Sequence, residues 1–389
     1  MKKVLFLNSK SPYPIKDGAA IGTNQYLRFF HRLGYEVDLV YTSELNDLEV
    51  VRSGLGGICS HIYHFHLPKY LSYLKVLKGL ITNTYPLHVN YYHSNEVASW
   101  VRNHAKDYDV LYCHNMRTAL YVDGIDMYKI WNIVDAFSMN YESARKNTTG
   151  IWHWIYTIDA KRCAKLECKL AENFNKALIV SERDKQYIET NLKRSANIAV
   201  IENYTEVFDD HIPDNVPDSR NLVFVGAMNY EPNVTAVTYF CSQIFPELLK
   251  RYPGIKFYIV GKTPTNSVLA LQSDDVIVTG YVNDIWDYLK IATVVVTPML
   301  TGSGIQNKIL QALAVGLPVV TTPTGFEGLA KDEGQPRLAV DSADMIEQIS
   351  FLLDHPEVRF EEGEKSKGYI VRNYSESVIL EKFRLFMEK

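Results

Sequence analysis

The stretch Thr293–Leu329, TVVVTPMLTGSGIQNKILQALAVGLPVVTTPTGFEGL, reads as strand, turn, helix and strand in immediate succession. Thr293–Pro298 is a β-branched run suited to a buried parallel strand, and the apolar spacing predicts a helix over Ile305–Val315. Gly316 stops that helix, and Pro318 opens the next strand, Val319–Thr322. At roughly 100° per residue, Ile309, Leu310 and Leu313 share one face while Gly304, Lys308 and Gln311 share the other. A first helical turn has unpaired N–H groups and the positive end of the helix dipole. With a lysine one turn in, it suits a phosphate or diphosphate. The competing reading is an ordinary helix start with a solvated lysine.

Outward from this unit, 389 residues at 47% hydrophobic content are enough for two cores, so two globular domains are expected. No stretch reaches about 18 uninterrupted apolar residues, and MKKVLFLN reads as a first strand with no signal peptide, so a cytoplasmic protein is expected. Cys59, Cys113, Cys163, Cys168 and Cys241 are odd in number and lack a CxxC pair, which argues against a disulfide framework and structural zinc. His61, His64 and His66 in IYHFHLP read as polar positions near a strand edge, and no metal is called for. Residues 1–200 hold 25 Lys+Arg against 19 Asp+Glu, whereas 201–389 hold 16 against 26. The first half is therefore the one to meet an anionic partner or a membrane surface. With no dense basic tract, nucleic acid is excluded as a partner.

Lys3–Asn8 and Glu36–Thr42 read as strands flanking a long loop, SKSPYPIKDGAAIGTN, and a helix near Gln25–Leu33. That order begins a doubly wound sheet, whose ligands sit beyond the carboxyl ends of its strands, so Asp17 and Gly18 are expected at a cleft. Further strands end at His114, Asp135 and Ser181, with a helix over Lys161–Asn173. KYLSYLKVLKGL, Lys69–Leu80, reads as a partly buried surface helix, with an interfacial helix as the alternative. The polar stretch Asp209–Arg220 reads as the linker. The pattern then restarts, with strands handing over to Gly226, Gly261 and Gly280. Lys256 occupies the place of the first glycine a phosphate loop ending at Gly261, Lys262 and Thr263 would need. Asn307 occupies that of the third glycine of a dinucleotide fingerprint begun by Gly302 and Gly304. A nicotinamide enzyme is disfavoured.

GSGIQNKILQALAVGLPVVTTPTGFEGL, together with FVGAMNYEPN, FYIVGKTP and VTGYVNDIWDYL, resembles the donor site of GT-B glycosyltransferases of family 4. The resemblance covers most of the chain and is closest to bacterial exopolysaccharide-type sugar transferases. It implies an α/β fold of two doubly wound Rossmann-like domains facing each other across a cleft. The acceptor domain would be residues 1–208 and the donor domain 209–369, with the C-terminal segment, about 370–389, packing back on the first. The expected activity is transfer of a sugar from a UDP- or GDP-linked donor to a surface-polysaccharide, glycan or lipid-linked acceptor. It would be retaining and metal-independent, with no cofactor beyond the donor. The alternatives are a sugar-nucleotide 2-epimerase of the same fold and a catalytically degenerate nucleotide-sugar-binding subunit. A peripheral contact with the inner face of the plasma membrane, through the N-terminal domain, is also expected.

Residue by residue, the resemblance implies that His114 positions the reacting groups and that Lys308 stabilises the leaving diphosphate. Asp17, Gly18 and Ala19, with Asn115, would meet the acceptor, Asp17 being the base if the chemistry inverts. Donor contacts would come from Gly226, Asn229, Gly261, Lys262, Tyr281, Val282, Gly302, Ser303, Gly304, Ile305, Gln306, Asn307, Gln311 and Glu327. Ser303 and Gln311 stand where the family carries two glutamates, and Ala227 where many members carry an arginine. Retention therefore follows from analogy, with Glu327 the candidate replacement carboxylate.

Overall fold

Strand order decides where a doubly wound protein keeps its site. In the computed structural model, which describes residues 1–15, 18–82, 85–146, 148–205, 207, 219–302 and 305–388, the chain divides into two units. One comprises Met1–Asn203 with Leu380–Lys389, the other Tyr204–Ile379. Most of the expected linker lies outside the described residues.

The first unit holds β1 (Lys3–Asn8), β2 (Glu36–Ser43), β3 (His61–His66), β4 (Val110–His114), β5 (Lys129–Val134), β6 (Lys176–Ile179) and β7 (Ile198–Val200), ordered β3-β2-β1-β4-β5-β6-β7. The second holds β8 (Asn221–Val225), β9 (Lys256–Val260), β10 (Val276–Gly280), β11 (Val294–Thr297), β12 (Val319–Thr321) and β13 (Arg337–Leu338), ordered β10-β9-β8-β11-β12-β13. Among the described residues every strand pairing is parallel. Both sheets therefore need cover on two faces, which explains the near-continuous apolar strands such as VLFL and VVV. The order reverses between β1 and β4 in one sheet and between β8 and β11 in the other. A crevice opens at the carboxyl edge of each such switch point.

Two local expectations need correction. The first helix spans Gly18–Arg32, so Gly18 and Ala19 form its exposed first turn and the preceding loop is shorter than expected. Asp17 lies outside the described residues. The helix expected at Lys161–Asn173 begins at Gly150 and takes in IWHWIY, leaving Ile151, Trp152 and Trp154 exposed.

The helix Lys69–Thr82 is partly buried, as expected, and turns its small residues inward. Ser72 and Gly79 are its buried positions, and a Cβ on Gly79 would meet the Asn90 amide at 2.5 Å. On the opposite side Tyr70, Tyr73, Leu74, Leu77 and Ile81 are exposed, Ile81 at 88%. Helical spacing gathers these five into one outward stripe of about 100°.

The C-terminal helix, Glu376–Glu388, buries Phe383 completely. Its ring centroid lies 5.5, 5.7 and 5.1 Å from those of Tyr26, Phe29 and Phe30. Lys176 Nζ also donates to the Phe386 carbonyl at 2.7 Å.

Candidate functional site

In the second unit the site starts from a close approach of two strand ends. Gly226 N–H donates to Val260 O, and a Cβ on Gly261 would lie 1.7 Å from Gly226 O, so only glycine fits after β9. Gly226 is covered by Asn233, whose Nδ2 donates to Ala227 O at 3.0 Å. A Cβ on Gly226 would meet that nitrogen at 2.5 Å. The ends of β11 and β12 are tied by Thr321 Oγ1 to Thr297 O at 3.0 Å and by Thr322 Oγ1 to Met299 O at 2.6 Å.

Lys308 is the second residue of its helix, Asn307–Ala314, and does not stand one turn in. The helix packs Ile309, Leu310 and Leu313 into the core, as the sequence periodicity predicted. The lysine is not a solvated surface group. Its ammonium donates to Asn233 Oδ1 at 2.6 Å, lies 3.7 Å from Met299 Sδ, and sits 4.6 Å from the ring centroid of Phe224. Phe224 is on β8, Asn233 follows it, and Met299 follows β11, so the charge stands at the switch point of this sheet. Burial pushes its pKa down to about 7. No carboxylate joins it among its hydrogen-bond partners, which leaves the cation available to an anionic ligand.

The other expected donor residues divide. Gly302 has φ 136° and lies beside Gln306 and Pro232, while Gln306 and Asn307 form the half-buried helix start. Ser303 and Gly304 lie outside the described residues. Ile305 is buried in the core and Val282 packs against it, so any ligand contact there falls to backbone groups. Asn229 and Tyr281 are exposed, Lys262, Gln311 and Glu327 half-buried. Tyr281 and Val282 follow β10, the outermost strand, roughly 12 Å from the switch point at ordinary strand spacing.

In the first unit the switch point lies between β1 and β4, and Asn115 Nδ2 bridges it to Ser9 Oγ at 3.2 Å. His114 ends β4, 4% exposed and 5.8 Å from the Phe6 ring. Its tautomer follows from Asn132. Val134 N–H donates to Asn132 Oδ1 at 3.0 Å, which turns Asn132 Nδ2 toward His114 Nδ1 at 3.2 Å. Nδ1 must then accept, and the ring proton resides on Nε2. Burial, aided by the charge of Arg117, lowers the His114 pKa to about 3, so the imidazole is neutral.

Sequence reasoning missed Asn132 and Arg117 here, and named Asp135 only as a strand end. Asn132 orients the histidine. Asp135 follows Val134, a β-branched residue at φ 68°, and burial followed by the charge of Asp184 raises its carboxyl pKa to about 7. Asn115, at φ 66°, is a second strained position on the neighbouring strand end, and such backbone clusters at functional edges. The sequence signal for Asp135 was an apolar strand running straight into an acid. Arg117 had the weaker signal of a lone basic residue after HNM. A group of Glu36, Asp38 and His61 gathers within 4.8 Å, but at the starting ends of β2 and β3, away from the carboxyl edge. His61 and Tyr108 already bond Asp38, and Lys3 pairs with Glu36.

Residues 219–355 match the family described as Glycosyl transferases group 1. A curated relative, an uncharacterized 44.6 kDa protein in the cps region of Klebsiella pneumoniae, is 21% identical over 349 residues, covering 86% of each chain. Among solved structures, TarM superposes with a TM-score of 0.74 at 14% identity, over 100% of this chain and 99% of its own. Anabaena HepE in complex with UDP and glucose does so at 0.68 and 13% identity, over 100% of both chains.

Proposed function

We propose that this chain, whose residues 219–355 match the group 1 glycosyl transferases and whose fold is that of the GT-B enzymes, is a glycosyltransferase that takes a sugar from a UDP- or GDP-linked donor, in the manner of family 4. The observation that carries this reading is Lys308, a buried cation at the switch point of the second sheet. Charge develops on the diphosphate as the glycosidic bond breaks, and a preorganised cation in a dry site stabilises it most strongly. Gly226, Gly261 and Gly302 keep the surrounding backbone clear of Cβ atoms, and HepE, of the same fold, is known with UDP and glucose.

In the first unit the Nε2–H of neutral His114 donates to a hydroxyl of the transferred sugar or the acceptor. An imidazole with so low a pKa is a poor base, so its role is positioning. The acceptor is a surface polysaccharide or its lipid-linked precursor, which the cps-region relative supports. Transfer is retaining and needs neither metal nor cofactor, Lys308 supplying the positive charge at the leaving group.

The enzyme works at a membrane surface. This rests on the outward stripe of Tyr70, Tyr73, Leu74, Leu77 and Ile81, beside Lys69 and Lys78, and on the exposed Trp152 and Trp154. No helix among the described residues is long and apolar enough to cross a membrane.

Thermal shift against a panel of nucleoside diphosphates and nucleotide sugars tests the donor, because ligand binding raises apparent stability by mass action. Stabilisation by UDP or GDP but not by the monophosphates is expected. No response to any diphosphate would sink the proposal. Incubation with donor alone should give only slow hydrolysis, and product stereochemistry in the presence of EDTA checks retention and metal independence.

A further inference from the structure

Arg117 carries a charge that its surroundings leave unneutralised. Its guanidinium stands 4.5 Å from the ring centroid of Tyr92 and 5.6 Å from that of Phe137. Nε is buried without a hydrogen-bond partner, and among the described residues no carboxylate pairs with the group. Burial draws its pKa down, yet an arginine keeps its proton. An enclosed cation of this kind is costly to hold until an anion arrives.

A second orphan lies close by. His88 stacks on Phe137 at 4.6 Å, and its Nδ1 is 3.2 Å from Tyr141 Oη, while its Nε2 is buried and unpartnered. Burial, then the charge of Arg117, holds the imidazole well below its ordinary pKa, so the ring offers a neutral polar edge. Lys10 adds a further cation, its Nζ 5.7 Å from the Tyr92 centroid. Glu44, the carboxylate that Tyr91 reaches, is already paired with Lys69 at 2.7 Å.

His88 and Tyr92 also line a groove of about 370 Å³, completed by Tyr73, Val76, Leu87 and Tyr91. It runs between the helices Lys69–Thr82 and Leu87–Tyr92, and Tyr73 belongs both to it and to the outward apolar stripe. Apolar walls that open on an apolar surface, with an uncompensated cation against the ring of Tyr92, one of its lining residues, match an amphiphile with an anionic head. Guanidinium favours phosphate, which it can bind through two parallel N–H···O bonds.

We propose that this groove is the acceptor subsite for a lipid phosphate, with the phosphate against Arg117 and the adjoining apolar chain between Tyr73, Val76, Leu87 and Tyr91. The link to sugar transfer rests on the function proposed above, but the binding itself does not. The test is calorimetric titration of the full chain with decyl phosphate, inorganic phosphate and decyl maltoside, each compared with UDP. Decyl phosphate is expected to bind at least tenfold more tightly than either of the other two. Arg117→Met should weaken it at least tenfold, Arg117→Lys less, and neither should change UDP affinity. Val76→Trp fills the groove with Arg117 intact and should abolish decyl phosphate binding, which keeps the test open if Arg117→Met does not fold. A folded Arg117→Met that binds decyl phosphate like the wild type overturns the proposal, as does decyl maltoside binding equally well. Equal binding of inorganic phosphate would assign the site to free phosphate and overturn the lipid. Failure of wild-type UDP binding would instead strike the donor reading and leave this site standing.

Discussion

Lys308 donates its ammonium proton to Asn233 Oδ1 at 2.6 Å, and Asn233 in turn lies over Gly226, so one amide joins the buried cation to the end of β8. With a pKa near 7, Lys308 changes charge within the working pH range. Well below pH 7 it is already protonated and adds no pH dependence of its own to diphosphate affinity. Above pH 7 the bound anion must draw a proton onto it, so the UDP dissociation constant should rise by about tenfold per pH unit. Calorimetry in buffers of different ionisation enthalpy should show uptake approaching one proton at pH 8.5. Lys308→Met should bind UDP at least about tenfold more weakly at pH 7 and lose the slope.

Gly226→Ala tests the same linkage sterically. The new methyl would press on Asn233 Nδ2 and displace the amide that fixes the lysine. We expect a stability loss of about 1–3 kcal/mol and roughly tenfold weaker nucleotide binding, read by chemical denaturation and calorimetry.

His114 should leave no trace in the pH profile of turnover between pH 5 and 8, because its folded pKa of about 3 keeps it neutral throughout. Asn132→Leu removes the partner of Nδ1 and leaves Val134 N–H unpaired, at a cost of about 1–3 kcal/mol. Turnover should fall about tenfold with UDP affinity unchanged. A histidine limb near pH 6.5 in the wild type would contradict the assigned neutral ring.

Leu74→Asp with Leu77→Asp should abolish sedimentation with anionic vesicles while shifting stability by less than about 0.5 kcal/mol, since both side chains are exposed. Vesicle binding by the wild type should weaken with salt, through Lys78.

Phe383→Ala empties a fully buried site among three aromatic rings and should cost about 3–5 kcal/mol in denaturant unfolding of the first unit. Loss of near-ultraviolet ellipticity should accompany it.

The sequence by itself determined the strands and many of the turns between them. Runs such as VLFLN, DVLYCH and TVVVTP have a period and composition set by burial on both sheet faces, and a glycine such as Gly261 is fixed by local backbone approach. It also marked Lys308 and His114, because each stands beside such a signal. Tertiary structure alone decided what those residues are. Lys308 becomes a dry cation only when β11 returns beside β8, bringing Met299 and Phe224 together around it, and no spacing in the chain encodes that order. Asn132, Arg117 and the outward apolar stripe of Lys69–Thr82 were illegible for the same reason. Period reports which side chains share a face, whereas burial depends on what the rest of the fold brings against that face.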